Sequence, residues 1–305
     1  MNESQNSEDV LFTKANDKDK KPEKMRKITG DTFLFAIVFI FFAVYSFLLL
    51  YPMFWGLMSS FKERLEYRRK PFSLPENFLW SNYPKALEKI TDGGFTFFGM
   101  FWNSLWFAGG SCLISLEFIT AYAYVLNKYK FRGRNFLYNL CIFMMSVPIG
   151  STFISTYRLY HNFGMVNSPW ILFSATGVYG MNLMMVHSYW SNISWSYAEA
   201  AQIDGAGFFQ IYFKAMLPQA TPIMVTLGLL GFIGKWNDYM APMLYLSKMP
   251  TLALGLFRYR TIVERSGEYP VLFAGLILCM IPILVLFALF QEKLMGNMSI
   301  GGLKG

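Results

Sequence analysis

Apolar residues run through this chain in six long blocks, at approximately 33–58, 101–126, 136–157, 170–193, 219–245 and 271–290, with polar stretches between them. Each block reaches the roughly 20 residues that a helix needs to cross a bilayer. Within the blocks apolar side chains fall on every face, not at every third or fourth position. That pattern predicts helices in an apolar medium, because nothing amphipathic remains to cover a water-soluble core. Between the fourth and fifth blocks the rhythm changes. Ala198, Ala201 and Gly205 stand at i, i+3 and i+7, a smooth stripe on one short helix. Gly205 and Gly207 bracket a break where the backbone can turn. Phe208, Phe209, Tyr212, Phe213 and Met216 then recur at helical spacing, with Gln210 and Lys214 on the other side, up to Pro218. The stretch predicts two short helices joined at a glycine and lying at a membrane surface. By periodicity alone it is an interfacial connector.

Composition supports the membrane reading. The 305 residues are 54% hydrophobic and 15% charged, where a soluble domain carries about 25% charge. Residues 1–30 are rich in Lys, Asp, Glu, Asn and Ser, and such a segment is expected to stay disordered. It is too long and too mixed in charge for a signal peptide, so the first block is expected to be a retained span. The net charge of +8 does not point to nucleic acid. The basic residues sit in loops between blocks, with no aromatic-interleaved patch, where they set topology and meet anionic lipid. Their totals on alternate sides are nearly equal. The loop Asn127–Arg134, with Lys128, Lys130, Arg132 and Arg134 and no acid, tips the balance toward cytoplasmic N- and C-termini. Residues 59–100 and 246–270 then form external loops. Cys112, Cys141 and Cys279 all fall inside blocks, without paired or metal-like spacing.

Several sequence features together resemble a known family. Glu199-Ala200-Ala201, Gly205 four positions later, and Leu217-Pro218 resemble the EAA loop of ABC importer membrane subunits. Ala215 departs from the pattern, standing where an isoleucine is common. Asn77 and Asn82 within PENFLWSNYPKAL, Asn103-Ser104-Leu105, Ala121–Tyr124, Phe131–Arg134, Trp236-Asn237-Asp238 and the tail Gly301–Gly305 extend the match over about residues 30–305. Together they resemble carbohydrate-uptake permeases of the MalG type. The resemblance implies an all-α integral membrane protein of the bacterial cytoplasmic membrane, with six transmembrane helices in the MetI/MalG-like fold. The permease domain would cover 31–295, with a cytoplasmic two-helix coupling loop at 194–218 and a glycine-rich cytoplasmic tail at 296–305. It further implies a second, MalF-like permease, two ABC ATPase subunits, an extracytoplasmic solute-binding protein and a sugar or oligosaccharide as cargo. Glu199, Ala200, Ala201, Asp204, Gly205, Phe209, Leu217 and Pro218 would then meet the ATPase. Glu199 would bond at the ATPase surface, Gly205 set the bend, and Phe209 pack the loop onto the spans. Gly301, Gly302 and Lys304 would reach between the ATPase subunits.

The sequence offers no chemistry of its own. Gly234-Lys235 is the only Gly-Lys pair, and Leu229 stands where a phosphate-binding loop needs its first glycine. ATP and Mg²⁺ would therefore sit on a partner ATPase, and no cofactor is expected here. His161 and His187 lack acidic or cysteine company, so neither a metal site nor a catalytic set is expected. Charges inside spans usually face a bundle interior or a cavity, and Glu117, Lys235 and Asp238 are the candidates. Lys235 and Asp238, three apart, suit a local pair; equally, Asn103, Asn237, Asp238 and Tyr239 suit a polar path for a hydroxyl-rich substrate. A pair between Glu117 and Lys235 is a further expectation. The competing function is an ion-coupled secondary transporter using Glu117, Lys235 and Asp238, though no convincing inverted repeat supports it.

Overall fold

The structure is a computed structural model and describes residues 28–146, 153–175 and 180–298. Most of residues 1–30, and all of Gly301, Gly302 and Lys304, lie outside the described residues. Among the described residues the regular structure is helical, apart from one bridge between Asp92 and Phe95. The chain divides into two units, up to Trp55 and from Gly56 onward.

The first unit contains most of α1, Ile28–Ser60. Every residue from Thr32 to Phe54 is exposed, although Phe, Leu, Ile and Val dominate the helix. A helix that is apolar all round and uncovered by its own chain belongs in lipid or against another apolar surface. Pro52 inside it removes one backbone donor, a break that neighbouring groups commonly repair in membrane helices.

The second unit is organised on α4, Phe97–Lys128. Thr96 starts this helix by accepting from the Gly99 amide at 3.3 Å. The start of α4 carries one apolar cluster, in which Phe97, Met100 and Ala108 meet Trp236, Leu252, Leu256, Tyr259 and Ala274. These partners come from α10 (Thr221–Trp236), α12 (Leu252–Ser266) and α13 (Tyr269–Met298). Gly255 on α12 allows that approach: a Cβ there would overlap Met100. Short helices α2 (Arg64–Arg69) and α3 (Asn82–Lys89) precede α4 in the chain. Ion pairs Arg258–Asp92 at 2.6 Å and Lys89–Glu268 at 2.6 Å fasten this layer.

Asn82 holds the layer from beneath. Its side-chain amide donates to the Ser60 carbonyl at 2.8 Å and the Lys62 carbonyl at 2.9 Å. Lys62 is only 1% exposed, yet its ammonium donates to the carbonyls of Lys70 (2.8 Å) and Pro71 (3.1 Å). Burial lowers its pKa below the ordinary lysine value, opposed by the nearby Glu66 charge. A cation fully enclosed by carbonyls acts here as a staple for the 62–80 loop.

Among the described residues, four helical stretches are long and apolar enough to cross a membrane: Thr32–Ser60, Phe97–Lys128, Phe208–Trp236 and Tyr269–Glu292. The third and fourth expected blocks are built differently. Residues 136–157 fall on α5 (Arg134–Ser146) and α6 (Phe153–Asn162), with residues 147–152 between them outside the described set. Residues 170–193 fall on a 3₁₀ segment (Pro169–Ala175) and α7 (Met181–Asn192), again with an undescribed interval. At about 1.5 Å per residue none of these pieces alone spans roughly 30 Å of hydrocarbon.

The expected 219–245 block is not one helix. It ends at Trp236, and a non-helical turn separates it from α11, Met240–Tyr245. Asn237 causes the stop: its amide returns to the Ile233 carbonyl, and its side chain donates to the same carbonyl at 3.0 Å. Pro242 then fits the first turn of α11, where a backbone donor is not needed. Asn82→Ala would strand the buried carbonyls it serves, and should cost about 1–3 kcal/mol. Limited proteolysis should find the 62–80 loop cut faster in that variant, with α4 intact.

Candidate functional site

The stretch singled out in sequence folds as two short helices around a glycine. α8 (Ser196–Ile203) ends when the Gly205 amide returns to the Gln202 carbonyl and the Ala206 amide to the Ala201 carbonyl. Gly205 has φ +80°, and nothing lies within 4 Å of where its Cβ would be. The requirement for glycine here is therefore conformational and not a matter of space. α9 (Phe208–Gln210) follows, and Gln210 closes its first turn by accepting from the Gly207 amide at 3.1 Å.

The helix then changes gear. Ile211–Met216 is π-helical and Leu217–Ala220 is 3₁₀, before α10 resumes regular geometry. Pro218 explains the change, since it has no amide to return to the residue four positions back. Wide and tight turns of this kind break the regular ladder without breaking the rod.

The two faces of this loop differ sharply. Ala198, Ile211, Tyr212 and Met216 are buried, and Ala201 and Leu217 are partly covered. Glu199, Ala200, Asp204, Gly205 and Pro218 are exposed, and Glu199 bonds to no other described side chain. Phe209 does not pack onto the spans as expected: it is 74% exposed. It shares the outer surface with Ile203 and Phe208, which is too much apolar area in one place to be incidental. The i to i+1 step explains the difference. If Phe208 leans on Tyr129 at 5.5 Å, the next residue on a helix must turn about 100° away.

The buried face meets the end of α4 in an aromatic junction. The Tyr124 ring lies 5.0 Å from both Trp190 of α7 and Tyr212 of the π-helical segment. Tyr129 meets Trp195 at 5.7 Å and shares a hydroxyl contact of 3.3 Å with Tyr124. The polar ends of the buried rings all find partners. Trp190 Nε1 donates to the Thr120 carbonyl at 3.2 Å, and the Tyr212 hydroxyl donates to Glu117 Oε1 at 3.1 Å. Lys128 Nζ donates to the Ile193 carbonyl at 2.6 Å, and Asn127 to the His187 carbonyl at 3.1 Å. The loop, α4 and α7 thus form one connected block.

Glu117 is where sequence reasoning went astray: its partner is Tyr212, not Lys235. Lys235 makes no ion pair with Glu117 or Asp238 within 4.0 Å. Asp238 lies past the end of α10 and accepts from the Ala241 amide at 3.0 Å, capping α11. Asn103 donates to the Pro250 carbonyl and accepts from Trp106 Nε1, while Ser104 accepts from the Leu252 amide at 2.8 Å. Those two residues clamp the start of α12. Tyr239 stacks on Phe257 with centroids 4.3 Å apart. Among the described residues no His, Cys, Asp and Glu side chains group as metal ligands.

With this geometry in place, comparison with known proteins becomes informative. The sequence pattern of the family described as "Binding-protein-dependent transport system inner membrane component" matches residues 114–298, a range that covers both the loop and the junction. The chain belongs to that family. The permease is 27% identical to the diacetylchitobiose uptake system permease protein NgcG of Streptomyces coelicolor, over 87% of this chain and 88% of that one. It is 26% identical to the arabinooligosaccharides transport system permease protein AraQ of Bacillus subtilis, over 87% and 94%. The probable starch degradation products transport system permease protein AmyC of Thermoanaerobacterium thermosulfurigenes is 28% identical over 92% and 100%. Among solved structures, a bacterial ABC transporter involved in the import of alginate matches with a TM-score of 0.73 at 23% identity, over 89% of the permease and 99% of that chain. That likeness establishes the fold.

Trp190 is fully buried at the centre of the junction, so Trp190→Ala should cost about 3–5 kcal/mol, with Trp190→Phe milder. Thermal denaturation of the purified complex in detergent should rank the variants in that order.

Proposed function

We propose that the permease is one of two membrane subunits of an ATP-driven importer for sugars or oligosaccharides. Its partners would be a second, MalF-like permease, two ABC ATPase subunits and an extracytoplasmic solute-binding protein. The named saccharides of its relatives support the cargo class. In this reading the chain crosses the bacterial cytoplasmic membrane six times. In the same reading both termini lie inside. Residues 1–30 form a cytoplasmic tail, 31–295 the permease domain, and 296–305 a tail whose Gly301, Gly302 and Lys304 touch the ATPase. The chain catalyses nothing itself. ATP and Mg²⁺ reside on the ATPase subunits.

The carrying observation is the two-faced loop at 194–218. Outward, it offers Glu199, Asp204, Ile203 and Phe209 to a partner; inward, Tyr212 and Ala198 lock it to α4 and α7. Such a piece is suited to receive movement from an ATPase cleft and pass it to helices that shape the transport path. The coupling is local packing, transmitted through a rigid block. Glu199 would bond at the ATPase surface, with Ala200 and Ala201 allowing a close seat. Gly205 would fix the angle between the two helices, and Leu217 and Pro218 the angle into α10.

An ion-coupled transporter is less well supported. Its relay needs Glu117, Lys235 and Asp238 to communicate, yet Glu117 is bonded to Tyr212 and Asp238 caps α11. Asn103, Asn237, Asp238 and Tyr239 remain proposed contacts on the substrate path, though each already has a structural partner.

Gly205→Asp and Glu199→Lys should each reduce co-purified ATPase by about tenfold, the effect expected for a charge clash or lost charge-assisted bond in a buried interface. Membrane insertion should be unchanged. Undiminished ATPase in both variants would refute the role given to the loop.

A further inference from the structure

Lys235 is a membrane-helix cation without a counter-charge. Glu117 is taken by Tyr212 and Asp238 by the Ala241 amide, and no carboxylate of the described residues lies within 4.0 Å of the ammonium. Its one recorded neighbour of note is the Phe107 ring, 6.0 Å to the centroid, which attracts a cation weakly. A half-buried ammonium left in this state is costly at membrane depth.

The side chain borders a partly open pocket of about 320 Å³ lined by α4, α7, α10 and the Pro169–Ala175 segment. Ser111 and Ser115, one helical turn apart on α4, line one wall, with Ser174 and Asn182 on the others. The lining includes hydroxyl and carboxamide groups that can both donate and accept, one cation, and no acidic side chain. The volume is near the lower end of the range for small-molecule sites, about 300–1,000 Å³. That is room for about one sugar ring, not for a chain of them.

We propose that this cavity is a subsite for an acidic sugar unit. The carboxylate of a uronic acid would pair with Lys235, and its ring hydroxyls would bond Ser111, Ser115, Ser174 and Asn182. The proposal rests on the transport reading above and narrows it, from sugars in general to sugars carrying a carboxylate. A neutral sugar could fill the same space, but it would leave the ammonium unpaired. Discrimination therefore comes from one desolvated charge pair.

The test uses cells carrying the complete importer. Uptake is measured for labelled di- and trisaccharides of galacturonic, glucuronic and mannuronic acid, alongside galactose, glucose and mannose oligomers of matched linkage and length. The wild type should take up at least one acidic series. Lys235→Met should lower that uptake by about tenfold or more, as loss of a charged hydrogen bond does, and leave neutral uptake within about twofold. Lys235→Arg should retain acidic uptake. Asn182→Asp places a competing carboxylate on the same cavity without deleting Lys235, and should lower acidic uptake more than neutral uptake; it serves if Lys235→Met fails to assemble. Uptake of neutral oligomers alone by the wild type overturns the acidic subsite while sparing the transport reading. Uptake of neither class fails the transport reading itself. Equal loss of both classes, or release of the second permease from Lys235→Met, overturns the proposal by assigning Lys235 to a lipid or subunit contact.

Discussion

The contact of Tyr124 with Trp190 and Tyr212 decides how the rest of this permease can behave. Three large rings from three separate elements meet with centroids 5.0 Å apart, and the polar ends of Trp190 and Tyr212 are bonded to Thr120 and Glu117. Aromatic contacts of this kind add about 1 kcal/mol each beyond the area they bury. The larger effect is geometric. In a close-packed junction a displacement of the loop cannot be absorbed locally, because interiors have few voids and low compressibility. Under the proposed coupling, movement entering at Ile203 or Phe209 would be passed to α4 and α7.

The opposite end of α4 is built to hold still. Its N-cap, the Asn103–Pro250 and Ser104–Leu252 bonds, and the ion pairs Arg258–Asp92 and Lys89–Glu268 tie it to α12 and to the turn before it. Lys62 and Asn82 staple the preceding loop through backbone carbonyls. In the proposed coupling, α4 would link the end that receives movement to this tied one. The cavity beside Lys235 lies along its length, walled by Ser111 and Ser115 of α4 itself.

Much of this was legible in the sequence because it is local. The all-round apolar blocks, the break at Gly205 and the small-residue stripe at Ala198 and Ala201 follow from propensity and spacing. The structure matches the glycine most closely, with φ +80° at Gly205. What could not be read is pairing across the chain. Glu117 and Tyr212 are 95 positions apart, and no period relates them, so Lys235, the only Lys or Arg inside the expected apolar blocks, attracted the assignment. Phe209 misled for a simpler reason. A run of aromatics predicts a buried face, but Phe208 packs on Tyr129 and the neighbouring Phe209 faces outward. The turn at Asn237 was hidden inside an apolar block, where hydropathy alone cannot register a side chain that caps its own helix.

The most direct test of the coupling account is the ratio of substrate transported to ATP hydrolysed by the reconstituted complex with Tyr212→Ala. The substitution empties the junction but leaves the outer face of the loop untouched. The account predicts that the ATPase subunits still bind and hydrolyse ATP while transport per ATP falls on the order of tenfold, within the range of coupling energies seen between linked sites. A ratio equal to that of the wild type would contradict it, and would mean that the movement reaches α4 by some other route.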